Sequence, residues 1–487
     1  MYRRLLFFFY LYFTLSLSAT LVNRPVVNMY AAPSEEAEVL SQAIYASSVE
    51  VVATSDDWTR IKTPDGDSGW TLSSDLIDNQ KYWMSPLLRP ISSLFAHVYL
   101  VRDTEPRKPL MTLPFSTMVQ LVERPDADSR WLLIRLIDGQ KAWIQRGDLN
   151  LDPKPIQLDM MLALSKKFLG LPYTWGGSSS YGFDCTGYVQ MLYKQMGVLL
   201  PRHVCPQAPF EQLMPQSPLL DSIELSELLP GDLVFFAHRY PHHVGIYLGH
   251  DEFIHAGVRD HRPFVNINNL KKTDYQLAFA RRLKPLNYTY SISEITPDIK
   301  ARMQYSWRDD NPVALEDLRF LKIRHWGYDD LIHEGELVVH ALVAQDVVDI
   351  FGELFKARFP VEKIRLIDEY QADDEASCTD NNSSAFCSRM ITGSTNLWSN
   401  HSYGCAVDIN PLVNPYARNG YICPKAGAPY LDRTHDVKGK IDREGVCCQA
   451  FLKRGWEWGG DWTSLVDYQH FEKNLYQNLP DIVQNDS

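Results

Sequence analysis

Two groups of residues in this 487-residue chain have types and spacings that could carry out hydrolysis. The first centres on Cys185, which follows the run Tyr173-Thr-Trp-Gly-Gly and the pair Phe183-Asp184 and precedes Thr186-Gly187. Downstream lie His243, at the head of Val-Gly-Ile-Tyr, and His255, between Ile254 and Ala256. A thiolate is the working nucleophile, and a helix N-terminus with an imidazole beside it favours that form. The Gly176-Gly177 loop followed by a helical run from Cys185 to Met196 puts the thiol at a helix start. His243 is then the base, and His255, on the adjoining strand, orients its ring as a carboxylate does elsewhere. A lone cysteine is more often an inert buried thiol, and a lone histidine a hydrogen-bonded core residue. The three contexts together weigh against that. His238, His242, His250 and His261 crowd the same stretch, and the register before Val-Gly-Ile-Tyr selects His243 over its neighbour His242.

The second group is His401, Asp408 and His470, with Asp467 three residues before the last. Two imidazoles and one carboxylate suit zinc better than magnesium or calcium, and three protein ligands leave a position for water. Asp467 is placed to take a proton from that water and pass it to a leaving amine. Separately, His401 and Asp408 read as an ordinary polar loop pair. Their company with Gly404, Ala406 and the Asp-x-x-His-Phe-Glu run favours a metal. Trp456, Trp458 and Trp462 could stack on a sugar, but core packing behind the metal is an equal reading.

The chain is long enough for three or four domains. Its 45% apolar and 22% charged content is ordinary for globular protein, and a net charge of -12 without a basic tract argues against nucleic acid. Arg3 and Arg4 precede an apolar run from Leu5 to Leu17 closed by small residues, so residues 1–19 read as an export signal, too short for the ~20 residues of a membrane span. The mature chain is thus expected to carry no span, with a monomer as the default. Of eight cysteines, six (Cys378, Cys387, Cys405, Cys423, Cys447, Cys448) fall in the last quarter. In an exported protein these suggest disulfides, with about 15 pairings open.

Residues 24–150 hold an internal repeat. Trp58, Ile61, Asp65-Gly66, Trp70 and Asp75-Leu76 recur 73 positions later as Trp131, Ile134, Asp138-Gly139, Trp143 and Asp148-Leu149. Short alternating strands with an Asp-Gly turn imply two small β-barrels, 24–80 and 84–152. Residues 153–284 mix helix (160–169, 185–196) with strands (233–237, 244–248, 252–255). Residues 285–297 read as a linker. Residues 298–480 form a further α+β unit with a strand at 336–340, a helix at 344–358 and a strand at 363–369.

The repeat resembles bacterial SH3-like domains. The run from Tyr173 to about Arg282, with Pro201-Arg202, Gln207 and Leu229-Pro-Gly-Asp-Leu-Val-Phe-Phe236, resembles the NlpC family of cell-wall cysteine peptidases, papain-like in fold. The resemblance implies Cys185 as nucleophile, His243 as base, His255 as orienting residue, Tyr173 near the oxyanion, and Asp184 reading the free α-amine of an N-terminal L-Ala. Thr186 stands where serine is commoner and keeps the hydroxyl. Members with two SH3-like domains usually cut γ-D-glutamyl–diamino acid bonds in short peptides. Residues from about 330 to 477, with Asn381 to Phe386, Arg389, Asp408-Ile-Asn-Pro411 and Gly455 to Trp462, resemble zinc D-Ala-D-Ala carboxypeptidases and L-alanyl-D-glutamate peptidases. That resemblance implies a Zn2+ cofactor and makes Arg389 the residue that holds a substrate carboxylate or developing oxyanion.

The expectation is a multidomain α+β protein: two SH3-like barrels, a papain-like cysteine peptidase domain and a zinc peptidase domain. It would be an exported bifunctional hydrolase of peptidoglycan stem peptides, in a bacterial periplasm or wall. The alternatives are a D,D-carboxypeptidase activity for the zinc domain, or a non-catalytic wall-binding protein, which the intact site residues disfavour.

Overall fold

The computed structural model describes residues 20–475 apart from 80–81, 84, 103–107, 127, 205–212, 259–262 and 392–396. The export-signal stretch 1–19, Cys205, Gln207 and His261 lie outside the described residues.

The 73-residue repeat folds twice into the same hairpin. Trp58–Lys62 pairs with Ser68–Leu72, and Trp131–Arg135 pairs with Lys141–Gln145. Each loop closes alike, Thr63 N–H on Asp67 O at 2.9 Å and Leu136 N–H on Gln140 O at 2.8 Å. Each turn also needs a left-handed residue, which Gly66 (φ +85°) and Gly139 (φ +88°) provide without a Cβ clash. Around these hairpins the first unit builds seven strands from Thr20 to Asp78 and the second six from Leu88 to Gln145; the first has a small core of its own, and Leu21, Tyr45 and Ala46 of the first join the core of the second.

Helices α1 (Leu158–Ser165) and α2 (Cys185–Lys194) pack on a six-stranded antiparallel sheet. Its order is Leu220–Ile223, Leu277–Leu283, Leu233–Ala237, Pro241–Gly249, Glu252–Gly257, Phe264–Asn269. The expected 160–169 helix splits, its last turn tightening to 3-10 geometry over Lys166–Phe168 before Gly170 turns left-handed at φ +87°. Both barrels dock on this layer. Phe115 of the second meets Phe168 edge to face at 5.2 Å. From the first, Gln42 O accepts from Ser178 Oγ at 2.9 Å and Ser41 Oγ from Arg202 Nε at 2.9 Å.

The last unit begins earlier than expected. Tyr290–Glu294, read above as linker, is an edge strand on Leu318–Trp326, which pairs in turn with Ile332–His340. Its alternation explains this: Ile292 packs on the core while Ser291 and Ser293 flank it. Helices α3 (Pro297–Arg302), α4 (Ala341–Ala357), α5 (Asp374–Thr379) and α6 (Val446–Leu452) follow, α4 burying an apolar face against that hairpin and α6 packing on α4. Arg358, left-handed at φ 55°, ends α4 two residues before Pro360. The 363–369 strand is only Lys363–Ile364, after which the chain turns into a 3-10 segment, Ile367–Tyr370.

Candidate active sites

Asp184 caps α2, its Oδ1 accepting the Gly187 N–H at 2.7 Å, so Cys185 is the first helical residue. The helix can start there because Gly187 has no side chain: a Cβ would lie 2.2 Å from the Gly177 carbonyl of the preceding loop. The thiol is buried, and burial, with Asp184 next, pushes it up to about 12, opposed by the N–H of Val244 and the charge of Arg202. Val244 directly follows His243, so the sulfur abuts the strand that carries the imidazole. His243 Nε2 lies 2.7 Å from His255 Nδ1, the two rings edge to face and both buried. Strand alternation separates the two neighbouring histidines. His242 turns outward to stack on His238 at 5.2 Å, while His243 turns in.

The structure brings Tyr173, Asp184 and Thr186 to the same place. Burial, then the charges of Cys185 and Asp184, raises the Tyr173 phenol. Arg202, fully buried, grips both Asp184 oxygens (Nη1–Oδ1 2.9 Å, Nη2–Oδ2 2.6 Å) and also donates to Thr186 Oγ1. Beside it, Gln190 donates to Asp65 Oδ2 of the first barrel at 2.7 Å. Two residues here escaped the sequence reading. Arg202 was quoted in a motif without a role, and Tyr275, stacked on His243 at 4.1 Å, gave no signal in sequence.

In the last unit, Asp408 on the strand Ala406–Asp408 stands opposite His470 on His470–Glu472, and His401 comes from a 3-10 turn, Asn400–Tyr403. Their ligand atoms lie within 4.8 Å of one another. Asp408 Oδ2 is 3.2 Å from His401 Nε2, and Oδ1 is 3.0 Å from His470 Nδ1. The outer nitrogens are held too: His401 Nδ1 faces Ala385 O, and His470 Nε2 lies 2.9 Å from Glu472 Oε2, itself bonded by Asn400 Nδ2 at 2.8 Å. With acceptors on their outer nitrogens, both imidazoles can give up the inner proton that faces Asp408 and turn a lone pair to a cation there, so the donor set fits a zinc ion. Burial works against charge on Asp408, yet the two imidazoles hold it well below the usual carboxylate range. Against its own burial, Asp408 and Glu472 raise His470 to about 10. A cation in the same place would substitute for those protons.

Asp467 sits on Val466–Asp467, paired with Tyr416. Its Oδ1 is shut off from solvent with no hydrogen bond among the described residues, and burial, partly offset by His470, pushes the carboxyl up to about 7. Arg389 pairs with Asp374 through Nε at 3.2 Å, its backbone N–H bonds Ser402 Oγ beside His401 at 2.8 Å, and it lies within electrostatic reach of Asp408. Glu472 was quoted in a run but given no role, and Asp374 was not singled out at all.

One expectation needs correcting. The six clustered cysteines are all thiols, so the structure forms none of the expected disulfides among the described residues. Cys387, Cys405, Cys447 and Cys448 are instead buried among core side chains. Of the two readings of the indoles the structure favours packing: Trp456 and Trp458 are core residues with N–H groups on Asp346 and Tyr468, and Trp462 leans on His470 at 5.5 Å.

Three family models match the chain: "Bacterial SH3 domain" over residues 25–77, "NlpC/P60 family" over 170–282 and "D-alanyl-D-alanine carboxypeptidase" over 392–473. A probable endopeptidase of Haemophilus influenzae is 33% identical over 121 residues, which cover 70% of that protein and 24% of this chain. The chain belongs to the NlpC/P60 family. It is also 30% identical over 240 residues to a γ-D-glutamyl-L-lysine dipeptidyl-peptidase of Bacillus cereus, covering 44% of this chain and 66% of that one. An NlpC/P60 family protein of Bacillus cereus of solved structure aligns over 55% of this chain and 100% of its own, at 25% identity and a TM-score of 0.48. Among the described residues, no helix is long and apolar enough to cross a membrane.

Proposed function

We propose that this chain is an exported bifunctional hydrolase of peptidoglycan stem peptides, with Cys185 cutting the γ-D-glutamyl–diamino acid bond and the metal site cutting L-Ala–D-Glu. The observation that carries it is the coexistence of a His243–His255 pair beside the capped thiol with a separate His-Asp-His cluster. The dipeptidyl-peptidase named among the relatives supports the first bond.

His243 Nε2 donates to His255 Nδ1, and we assign the thiol proton to Nδ1 of the same ring. A thiol pushed up to about 12 reacts only if that proton moves to His243 as the sulfur attacks. Sulfur then bonds the carbonyl carbon, the oxyanion forms near Tyr173, and the imidazolium returns the proton to the departing amine. Water repeats the sequence to release the acyl group. Among the described residues Asp184 Oδ1 accepts from Gly187, Thr186 and Arg202 and Oδ2 from Arg202, so we assign Oδ2 to an α-ammonium. Domain limits of 24–80, 84–152, 153–284 and about 290–480 suit this division of labour.

In the last unit His401, Asp408 and His470 would hold zinc, which supplies a Lewis acid for the scissile carbonyl and acidifies a water. Asp467 Oδ1 takes the proton of the attacking water and hands it to the leaving amine. Arg389 holds the substrate carboxylate, and Glu472 keeps His470 in the binding tautomer. The family model's description favours a second reading, hydrolysis of terminal D-Ala–D-Ala.

If the thiol site requires a free L-Ala amine, it acts first. A mass-spectrometric time course with L-Ala-γ-D-Glu-diaminopimelate tests this. L-Ala-D-Glu is expected before free L-Ala, with an alkylating agent stopping the first cleavage and a chelator the second. Early D-Glu-diaminopimelate reverses the order, and release of D-Ala from a pentapeptide selects the second reading.

A further inference from the structure

We propose that Tyr275 is a positioning residue for the thiol site, fixing the plane of the His243 imidazole, and that Gly257 is the clearance that lets it do so. This rests on the Cys185–His243 reading above.

His243 is held on several sides. Its ring lies nearly parallel to Tyr275, 4.1 Å between centroids and 15° between planes, and Phe236 tilts against it at 5.7 Å. His255 closes another side edge to face at 4.8 Å and itself meets the Tyr275 ring edge to face at 5.3 Å. Tyr275 thus touches both imidazoles, and it is buried. The hydrogen bond to His255 fixes one edge of the His243 ring, and the stacked phenol fixes its plane. An aromatic face over the ring also favours the positive imidazolium that forms when the thiol gives up its proton.

The sheet is irregular where this contact needs it. The pairing of Leu233–Ala237 with Pro241–Gly249 shifts register between Phe236 and Ala237, and its pairing with Leu277–Leu283 shifts between Phe235 and Phe236. Bulges re-aim side chains. Here two of them flank Phe236, one on the strand of His243 and one just after Tyr275, with Ala237 N–H bonding Gln276 O at 3.0 Å. Gly257 ends the His255 strand. A Cβ there would lie 2.4 Å from His255 Cε1, 2.6 Å from Nδ1 and 2.8 Å from the Tyr275 hydroxyl, so any side chain displaces the imidazole or the phenol. Val258 N–H, the next residue, donates to that hydroxyl at 3.3 Å.

The test uses the full chain with Tyr275→Leu, Tyr275→Phe, Gly257→Ala and Cys185→Ala. Each is assayed for kcat and KM on L-Ala-γ-D-Glu-diaminopimelate and for the rate at which iodoacetamide labels Cys185, followed by mass spectrometry of its peptide. Tyr275→Leu should lower kcat about a hundred-fold, the scale of a misplaced catalytic group, with KM little changed and Cys185 labelling slowed. Tyr275→Phe keeps the ring and should recover most of both rates. Wild-type kcat and labelling in Tyr275→Leu, or equal damage from Phe and Leu, overturns the proposal. If circular dichroism shows Tyr275→Leu unfolded, Gly257→Ala decides: a folded protein with reduced kcat supports the proposal and wild-type kcat overturns it. Cleavage that persists in Cys185→Ala refutes the thiol reading itself, independently of the stack.

Discussion

Arg202 offers the sharpest test of how the first barrel and the thiol site are joined. Its guanidinium is fully buried and bonds both oxygens of Asp184, Thr186 Oγ1, and Ser41 Oγ of the barrel. Replacing it by Met keeps the apolar stem but leaves Asp184, only 12% exposed, as an uncompensated carboxylate. Breaking a buried pair from one side costs about 3–5 kcal/mol, mainly because of the stranded charge. At about 3 °C per kcal/mol, the melting temperature of the peptidase layer should fall by about 12 °C. Asp184→Asn/Arg202→Met removes both charges, and so should be less destabilised than the sum of the singles by about 1–3 kcal/mol. Urea titrations of the four proteins, with Trp fluorescence as the signal, measure the cycle. Strict additivity, or a loss below about 1 kcal/mol for Arg202→Met, would refute the claim that this pair is the buried join, because exposed pairs contribute only about that much.

Glu472→Gln removes the carboxylate on His470 Nε2, so zinc affinity should drop about 10- to 100-fold in a competition with a chromogenic chelator, and unchanged affinity would show that the outer bond does not matter. In metal-free protein the Asp467 carboxyl is raised from 3.8 to about 7, so its contribution to stability is present below pH 3.8 and lost as pH rises through about 7. Thermal melts should therefore show Asp467→Asn gaining on wild type across that window, and a constant difference would place the carboxyl in a solvated setting. His243→Asn should abolish thiol-site cleavage while His242→Asn leaves it intact, and the reverse outcome would exchange their roles.

The helix start at Cys185 and the company of His470 were legible because each depends on local context. Cys185 had a Gly-rich loop before it and a helical run after it, and His470 had its own Asp-x-x-His-Phe-Glu sequence. The repeat was legible because a constant 73-residue offset carries the turn glycines with it. What sequence hid is contact across distance. Tyr275 reaches His243 through two bulges that no periodicity announces. Arg202 joins α2 to a barrel more than 150 residues earlier, a contact set by tertiary packing alone. The cysteines misled because thiols buried among core side chains have the same spacing in sequence as cysteines in disulfides. The 290–294 strand was hidden by its serines, which face outward from an edge.

The central claim is that two independent catalytic centres share this chain. The direct measurement is product analysis of stem tripeptide and of L-Ala-D-Glu after incubation with wild type, Cys185→Ala and Asp408→Ala. Cys185→Ala should still split L-Ala-D-Glu but leave the γ-D-glutamyl–diaminopimelate bond whole, and Asp408→Ala should do the opposite. Loss of both cleavages in either folded variant, or of neither, would contradict the account.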